Sequence, residues 1–250
     1  MNEFENNYKA LLHKAYCEGI NKQNRTGVNC YSLFGEVLKV DLTKGFPILT
    51  GKKIDFKKAY HEYIWFKEGL ITTNYLKQHD INWWDDYADE KGNLGKTYGY
   101  QLRNYNGEID QLMYIINEIN NNSRRAHITL WNPSELNDVK LPVCYTDFTF
   151  VRQNANLNMT MHFRSSDAFL GLPYDIIVGA LLLIEVSAFT ELIPKEIMFV
   201  FDDIHLYDNH IDAYHKYVEA ETYDLPLYSR EQKTLIGYIH SDFIYAKLNV

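Results

Sequence analysis

"LNMTMHFRSSDAFLGLPYDIIVGALLLI", residues 157–184, changes its period halfway, and that change decides the fold class. In the first part Leu157, Met159, Met161 and Phe163 alternate with polar residues, the pattern of a strand with one packed face. The second part is apolar all round, with an uncharged run from Ile176 to Ile184. A membrane span needs roughly 20 such residues, so this run predicts a buried helix from about residue 175 to 190.

Outward from this stretch, "HITLW" (127–131), "TDFTFVR" (146–152) and "EIMFVF" (196–201) read as strands. "YSLFGEVLKVDL" (31–42) reads likewise, and a Gly-Phe-Pro break ends it. Helical spacing marks 3–18, through Phe4, Tyr8, Leu11, Leu12 and Ala15, and 54–68, through Ala59, Tyr60, Tyr63, Ile64 and Phe66. Residues 110–120 and the stretch containing "DNHIDAYHKYVE" predict two more helices. Residues 79–108 are polar, aromatic and glycine-dotted without a period, which predicts a long functional loop. Helices and strands mix without strict βαβ alternation, and no repeat or linker interrupts them. The expectation is α+β, in a single domain over 1–250.

The totals narrow the function. The 250 residues are 46% hydrophobic and 23% charged, enough for a sizeable core. A net charge of -8 with no basic run argues against a nucleic-acid partner. Cys17, Cys30 and Cys144 form no CxxC pair and predict free thiols. The N-terminal stretch lacks the charged-then-apolar design of a signal, so a cytoplasmic protein without a membrane span is expected. No metal is expected.

Cys144 lies in "KLPVCYTDF". A lone cysteine is most often buried and structural, but here Pro142 stiffens the approach and polar Tyr145, Thr146 and Asp147 follow. A reactive thiolate needs positive charge nearby. Arginines occur as Arg124 and Arg125 in "NSRRAH", Arg164 in "FRSSD" beside Ser165 and Asp167, and Arg25 in "NRTG". Singly each is an ordinary solvated charge; together they offer planar donors and a hydroxyl suited to a phosphate dianion.

These segments resemble the thymidylate synthase superfamily. "LPVC" after "SRR", then "FRSSDAFLGLPYDI" and "DDIHLYDNH", stand in the family's order, as do "NRTG", "FGEVLKVDLTKGFPILTGKK", "HEYIWF", "WWDDYADEKGNLGKTYGYQLR" and the final "IYAKLNV". The resemblance implies a mixed sheet flanked by helices, packing sheet to sheet in an obligate homodimer. It implies that Cys144 adds to carbon 6 of a pyrimidine, beside Arg164, which would favour the thiolate and touch phosphate. Arg25 and Ser165 would bind phosphate, joined by Arg124 and Arg125 from the other subunit. His205 and Tyr207 would hold the sugar. Glu62, assisted by Tyr98, would organise proton transfer. Asp167, Trp83, Trp84, Leu141 and Gly171 would line the site of 5,10-methylenetetrahydrofolate. Chemically, a thiolate at carbon 6 makes carbon 5 nucleophilic enough to take a one-carbon unit.

Asp175 departs from the family's usual asparagine, which matches uracil's edge. An ionised aspartate only accepts hydrogen bonds, so it suits cytosine's amino group and, once N3 is protonated, both cytosine donors. The same substitution marks the deoxycytidylate hydroxymethylase branch, which implies dCMP as substrate and 5-hydroxymethyl-dCMP as product. A helix N-cap is the plainer role for Asp175. Tyr145 stands where the family usually has histidine, Phe201 and Asp202 where it has small glycines, and the tail lacks Pro-His-Pro. A CMP hydroxymethylase, a dUMP-methylating enzyme and a non-catalytic nucleotide binder stay open as alternatives.

Overall fold

The computed structural model describes residues 2–249. Helix α1 (Glu3–Glu18) leads into strands β1 (Ile20–Lys22) and β2 (Cys30–Asp41). Helices α2 (Phe56–Lys67), α3 (Asn74–Lys77), α4 (Tyr98–Asn104) and α5 (Gln111–Asn120) follow. Strands β3 (His127–Thr129), β4 (Tyr145–Gln153), β5 (Asn156–Phe163) and β6 (Ser166–Asp167) precede helix α6 (Gly171–Phe189). Strand β7 (Ile193–Tyr207), helix α7 (Ile211–Glu219) and a small hairpin of β8 (Leu227–Ser229) and β9 (Thr234–Ile236) complete the order.

Strands β1 to β7 form one mixed sheet in the order β1-β2-β7-β5-β4-β3, with β6 beside β7. β7 runs parallel to β5 and β6, and the other neighbours pair antiparallel. The alternation of β5 explains its burial: Leu157, Met159, Met161 and Phe163 are buried, whereas Asn158, Thr160 and His162 are half-exposed. A parallel return from β5 to β7 requires a crossover, and α6 supplies it. Ile176, Ile177, Leu181, Leu182 and Val186 of α6 are buried, and the helix packs on α2, β5 and β7. A side chain at Gly179 would stand 3.1 Å from the Met161 sulfur and 3.3 Å from Phe199, so glycine lets helix and sheet approach. Although α6 is long and apolar enough to cross a membrane, most of it is buried inside this fold. The chain is therefore a single α+β domain with its core between the sheet and the helices.

Three expectations need correction. Helix α6 begins at Gly171, not near 175, because Pro173 lies in its first turn, where no amide hydrogen is needed. Asp175 is therefore a turn inside the helix and caps nothing. Segment 79–108 is not all loop: it holds a 3-10 turn at Asp85–Tyr87 and the helix α4, too short to show a period. β7 extends from Ile193 to Tyr207, well beyond "EIMFVF", and so carries His205 and Tyr207 on the sheet. All three cysteines are free.

Candidate active site

Cys144 immediately precedes β4, at one end of the sheet. Its backbone N–H donates to the Tyr98 hydroxyl at 2.8 Å, and its carbonyl accepts from the Arg164 backbone N–H at 3.0 Å. The Arg164 guanidinium donates through Nε to the Val143 carbonyl (2.8 Å) and through Nη2 to the Pro142 carbonyl (2.7 Å). Arg164 thus grips the loop that presents the thiol while lying 5.5 Å over the Trp131 ring. Burial pushes the Cys144 thiol up; the Tyr98 hydrogen bond and Arg164 pull it down, and Asp175 and Asp167 add to the rise. Arg164 does favour the thiolate, and burial outweighs it.

Two carboxyls share this pocket. Glu62 projects from α2, and its Oε1 accepts from the indole N–H of Trp83 (2.9 Å) and of Trp84 (2.6 Å). Burial raises the Glu62 pKa and the two indole bonds oppose it. Asp175 is half-buried and accepts no hydrogen bond from the described residues. Burial, then the charges of Glu62 and Asp167, raise its pKa well above the carboxylate range. Asp175, Glu62 and Cys144 all act on the buried Tyr145 hydroxyl, and Cys144, Tyr145 and Asp175 act on that of Tyr98. Cys144, Glu62, Asp175, Tyr98 and Tyr145 therefore lie close together. Tyr145 also packs against Phe66, Phe148 and Phe163, tying the cluster to the core.

Asp167 lies near this cluster, acting on both Cys144 and Asp175, and one of its oxygens accepts from the backbone N–H groups of Phe169 (2.9 Å) and Leu170 (3.1 Å). Gly171 sits between the two aspartates: a Cβ there would meet the Asp167 Cβ at 3.8 Å and Asp175 Oδ2 at 3.9 Å. His205 shares a 2.9 Å contact from Nδ1 to Asp203 and packs edge-on to Tyr207 at 5.0 Å. Trp83 packs on Tyr174 with ring centroids 5.3 Å apart, giving the cluster an aromatic wall. Leu141 and Ser165 are half-buried on the segments flanking Cys144 and Arg164.

Not every arginine gathers here. Arg25 is exposed in the turn at Gly27, and its charge reaches the pocket through Tyr87, which also feels Cys144. Arg124 and Arg125 are exposed between α5 and β3, and among the described residues neither side chain makes a hydrogen bond or ion pair. Among the arginines of the described residues, Arg164 acts on the Cys144 thiol.

Four neighbours escaped the sequence reading. Tyr87 lay in a segment without a period, and Tyr174 read only as part of a turn. Lys52 is buried, donates to the Phe169 carbonyl at 2.5 Å, and is lowered by burial to about 7 against the pull of Asp167 and Glu5. His210, fully buried, places Nδ1 3.8 Å from Asp167 and bonds through Nε2 to the Lys247 carbonyl at 2.7 Å. Reciprocal amide bonds between Asn209 and Asn249 hold the tail beside it. Their sequence contexts, "TGKKI" for Lys52 and "DNHID" for His210, read as surface segments and gave no signal for either.

A family model described as thymidylate synthase matches residues 6–247. The chain belongs to the thymidylate synthase family. Its class of chemistry is folate-dependent one-carbon transfer to a pyrimidine nucleotide, with methylenetetrahydrofolate as co-substrate.

Proposed function

We propose that the protein is a cytidylate 5-hydroxymethyltransferase, converting dCMP, 5,10-methylenetetrahydrofolate and water into 5-hydroxymethyl-dCMP and tetrahydrofolate. The observation that carries this reading is Asp175: a half-buried carboxyl that accepts no hydrogen bond among the described residues, close enough to act on the Cys144 thiol, and pushed toward its neutral form. A neutral acid can donate to N3 of cytosine while its other oxygen accepts from the 4-amino group. Passing that proton to N3 leaves a carboxylate facing two donors, which relieves its burial, and makes carbon 6 more electrophilic.

The ionised Cys144 sulfur then bonds to carbon 6, and the displaced ring electrons flow toward the protonated N3. Tyr98 and Arg164 stabilise the sulfur's charge; Arg25 and Ser165, with Arg124 and Arg125 of the partner subunit, hold the phosphate. His205 and Tyr207 meet the sugar. When bound, methylenetetrahydrofolate supplies the one-carbon unit. Trp83, Tyr174, Leu141, Gly171 and Asp167 suit a flat, hydrogen-bonding ring, since they combine an aromatic wall with a carboxylate. Glu62 takes up the carbon 5 proton through water and, in the later step, holds the water that hydrates the ring-bound methylene. Cys144 finally leaves carbon 6.

The homodimer reading rests on two features. Arg124 and Arg125 have no side-chain partners among the described residues, and the outer sheet face exposes Val37 and Val151. Tritium release from carbon 5 of labelled dCMP, CMP and dUMP, with product mass analysis, tests the reaction. Release from dCMP, a hydroxymethyl product and no dihydrofolate are expected; release from dUMP with dihydrofolate would overturn the assignment.

A further inference from the structure

We infer that Trp83 is a positioning residue for Glu62, fixing which carboxyl oxygen exchanges protons; this rests on the reading of Glu62 as the proton-handling group. Trp83 and Trp84 are consecutive, yet both indoles aim their N–H at the same oxygen, Oε1, at 2.9 and 2.6 Å. Among the described residues Oε2 receives no hydrogen bond. Two donors on one oxygen hold the carboxyl against rotation. They also exclude a hydroxyl at Oε1, whose hydrogen would point at an N–H. A proton can therefore enter and leave Glu62 only at Oε2.

Packing makes the clamp rigid. Trp84 rests against Trp65 of α2 and Tyr98 of α4, with centroids 5.2 and 5.5 Å away. Trp83 rests on Tyr174, the residue before Asp175 in α6. The Trp83 indole thus links the proton-handling carboxyl on one helix to the base-facing carboxyl on another. Both indole donors favour ionised Glu62, against the effect of burial.

Trp83→Phe tests the inference, because it keeps an aromatic ring against Tyr174 while removing the N–H. The expected result is a kcat lower by on the order of tenfold, the loss typical of one hydrogen bond to a charged group. KM values for nucleotide and folate stay nearly unchanged, and the acid limb of the pH–rate profile moves to higher pH. A raised folate KM with an unmoved acid limb would reduce Trp83 to a wall of the folate site and overturn the inference.

A second measurement does not depend on turnover. The chain has four tryptophans, so four indole N–H resonances are available. Those of Trp83 and Trp84 should titrate together in the unmodified protein and stay still in Glu62→Gln; independent titration would also overturn the clamp. Absence of tritium release from every pyrimidine nucleotide would sink the reaction reading instead, leaving the clamp to be decided by the resonances.

Discussion

The Tyr98 hydroxyl accepts a 2.8 Å hydrogen bond from the backbone N–H of Cys144 and also lowers the pKa of that residue's thiol. One phenol therefore orients the loop and favours ionisation of its thiol. Its own pKa is raised well above the ordinary tyrosine value by burial, then by Cys144, so it stays a neutral donor throughout the working range.

Replacing it with Tyr98→Phe strands the Cys144 N–H and removes the donor to sulfur. Leaving a buried donor unpaired costs about 1–3 kcal/mol, so kcat/KM should fall roughly tenfold to a hundredfold. The thiol-dependent limb of the pH–rate profile should move to higher pH, because a group that lowered the thiol pKa is gone. A profile that kept its shape would assign Tyr98 to packing alone.

Asp175→Asn should move the dCMP/dUMP ratio of kcat/KM toward dUMP, since an amide can donate to the uracil 4-oxygen at every pH. The unmodified protein should show a ratio that varies with pH. Below its raised pKa the neutral Asp175 can pair with either base; above it, the carboxylate repels the uracil oxygen. Discrimination in favour of dCMP should therefore sharpen as pH rises through that pKa. A ratio flat with pH and unchanged in Asp175→Asn would remove Asp175 from base recognition.

Arg125→Ala and Cys144→Ser proteins should each be inactive, yet regain part of the activity when mixed and allowed to exchange subunits. Hybrid dimers would contain one site with both residues intact. Persistent inactivity after demonstrated exchange would confine each site to one chain.

Lys52 offers a test on stability. Its pKa falls from 10.5 to about 7 on folding, so between those values the unfolded chain binds the extra proton. Stability should rise with pH across that window, by roughly a few kcal/mol at most. Denaturant midpoints of Lys52→Met should lose this slope. An equally steep slope in the variant would place the titration elsewhere.

The residues that were legible in sequence are those whose chemistry is local. β5 announced itself by alternation and α6 by an apolar run, because each pattern is carried by consecutive residues of one element. The cluster was legible only through family resemblance: Glu62, Cys144 and Asp175 lie on separate elements, far apart in the chain. The paired tryptophans show the limit most clearly. The family resemblance implied a place for them in the folate site, whereas a shared acceptor 2.9 and 2.6 Å away is a matter of tertiary geometry. The start of α6 was hidden for another reason. Gly-Leu-Pro is turn chemistry in most contexts, and a helix tolerates Pro173 only because that position has no amide hydrogen to supply.

Helix α6 carries Asp175 at its opening end and fills the core with the rest of its length. Its neighbours Ile176 and Ile177 are buried, and Gly179 admits no side chain without displacing Met161 or Phe199. If base preference is set at Asp175, as proposed, its drift has a narrow doorway: position 175 can change while the helix around it is held still by the demands of folding. On the proposed reading of Asp175, a lineage would exchange one nucleobase for another there in a single mutational event, with little room to do so by gradual remodelling of the surrounding helix.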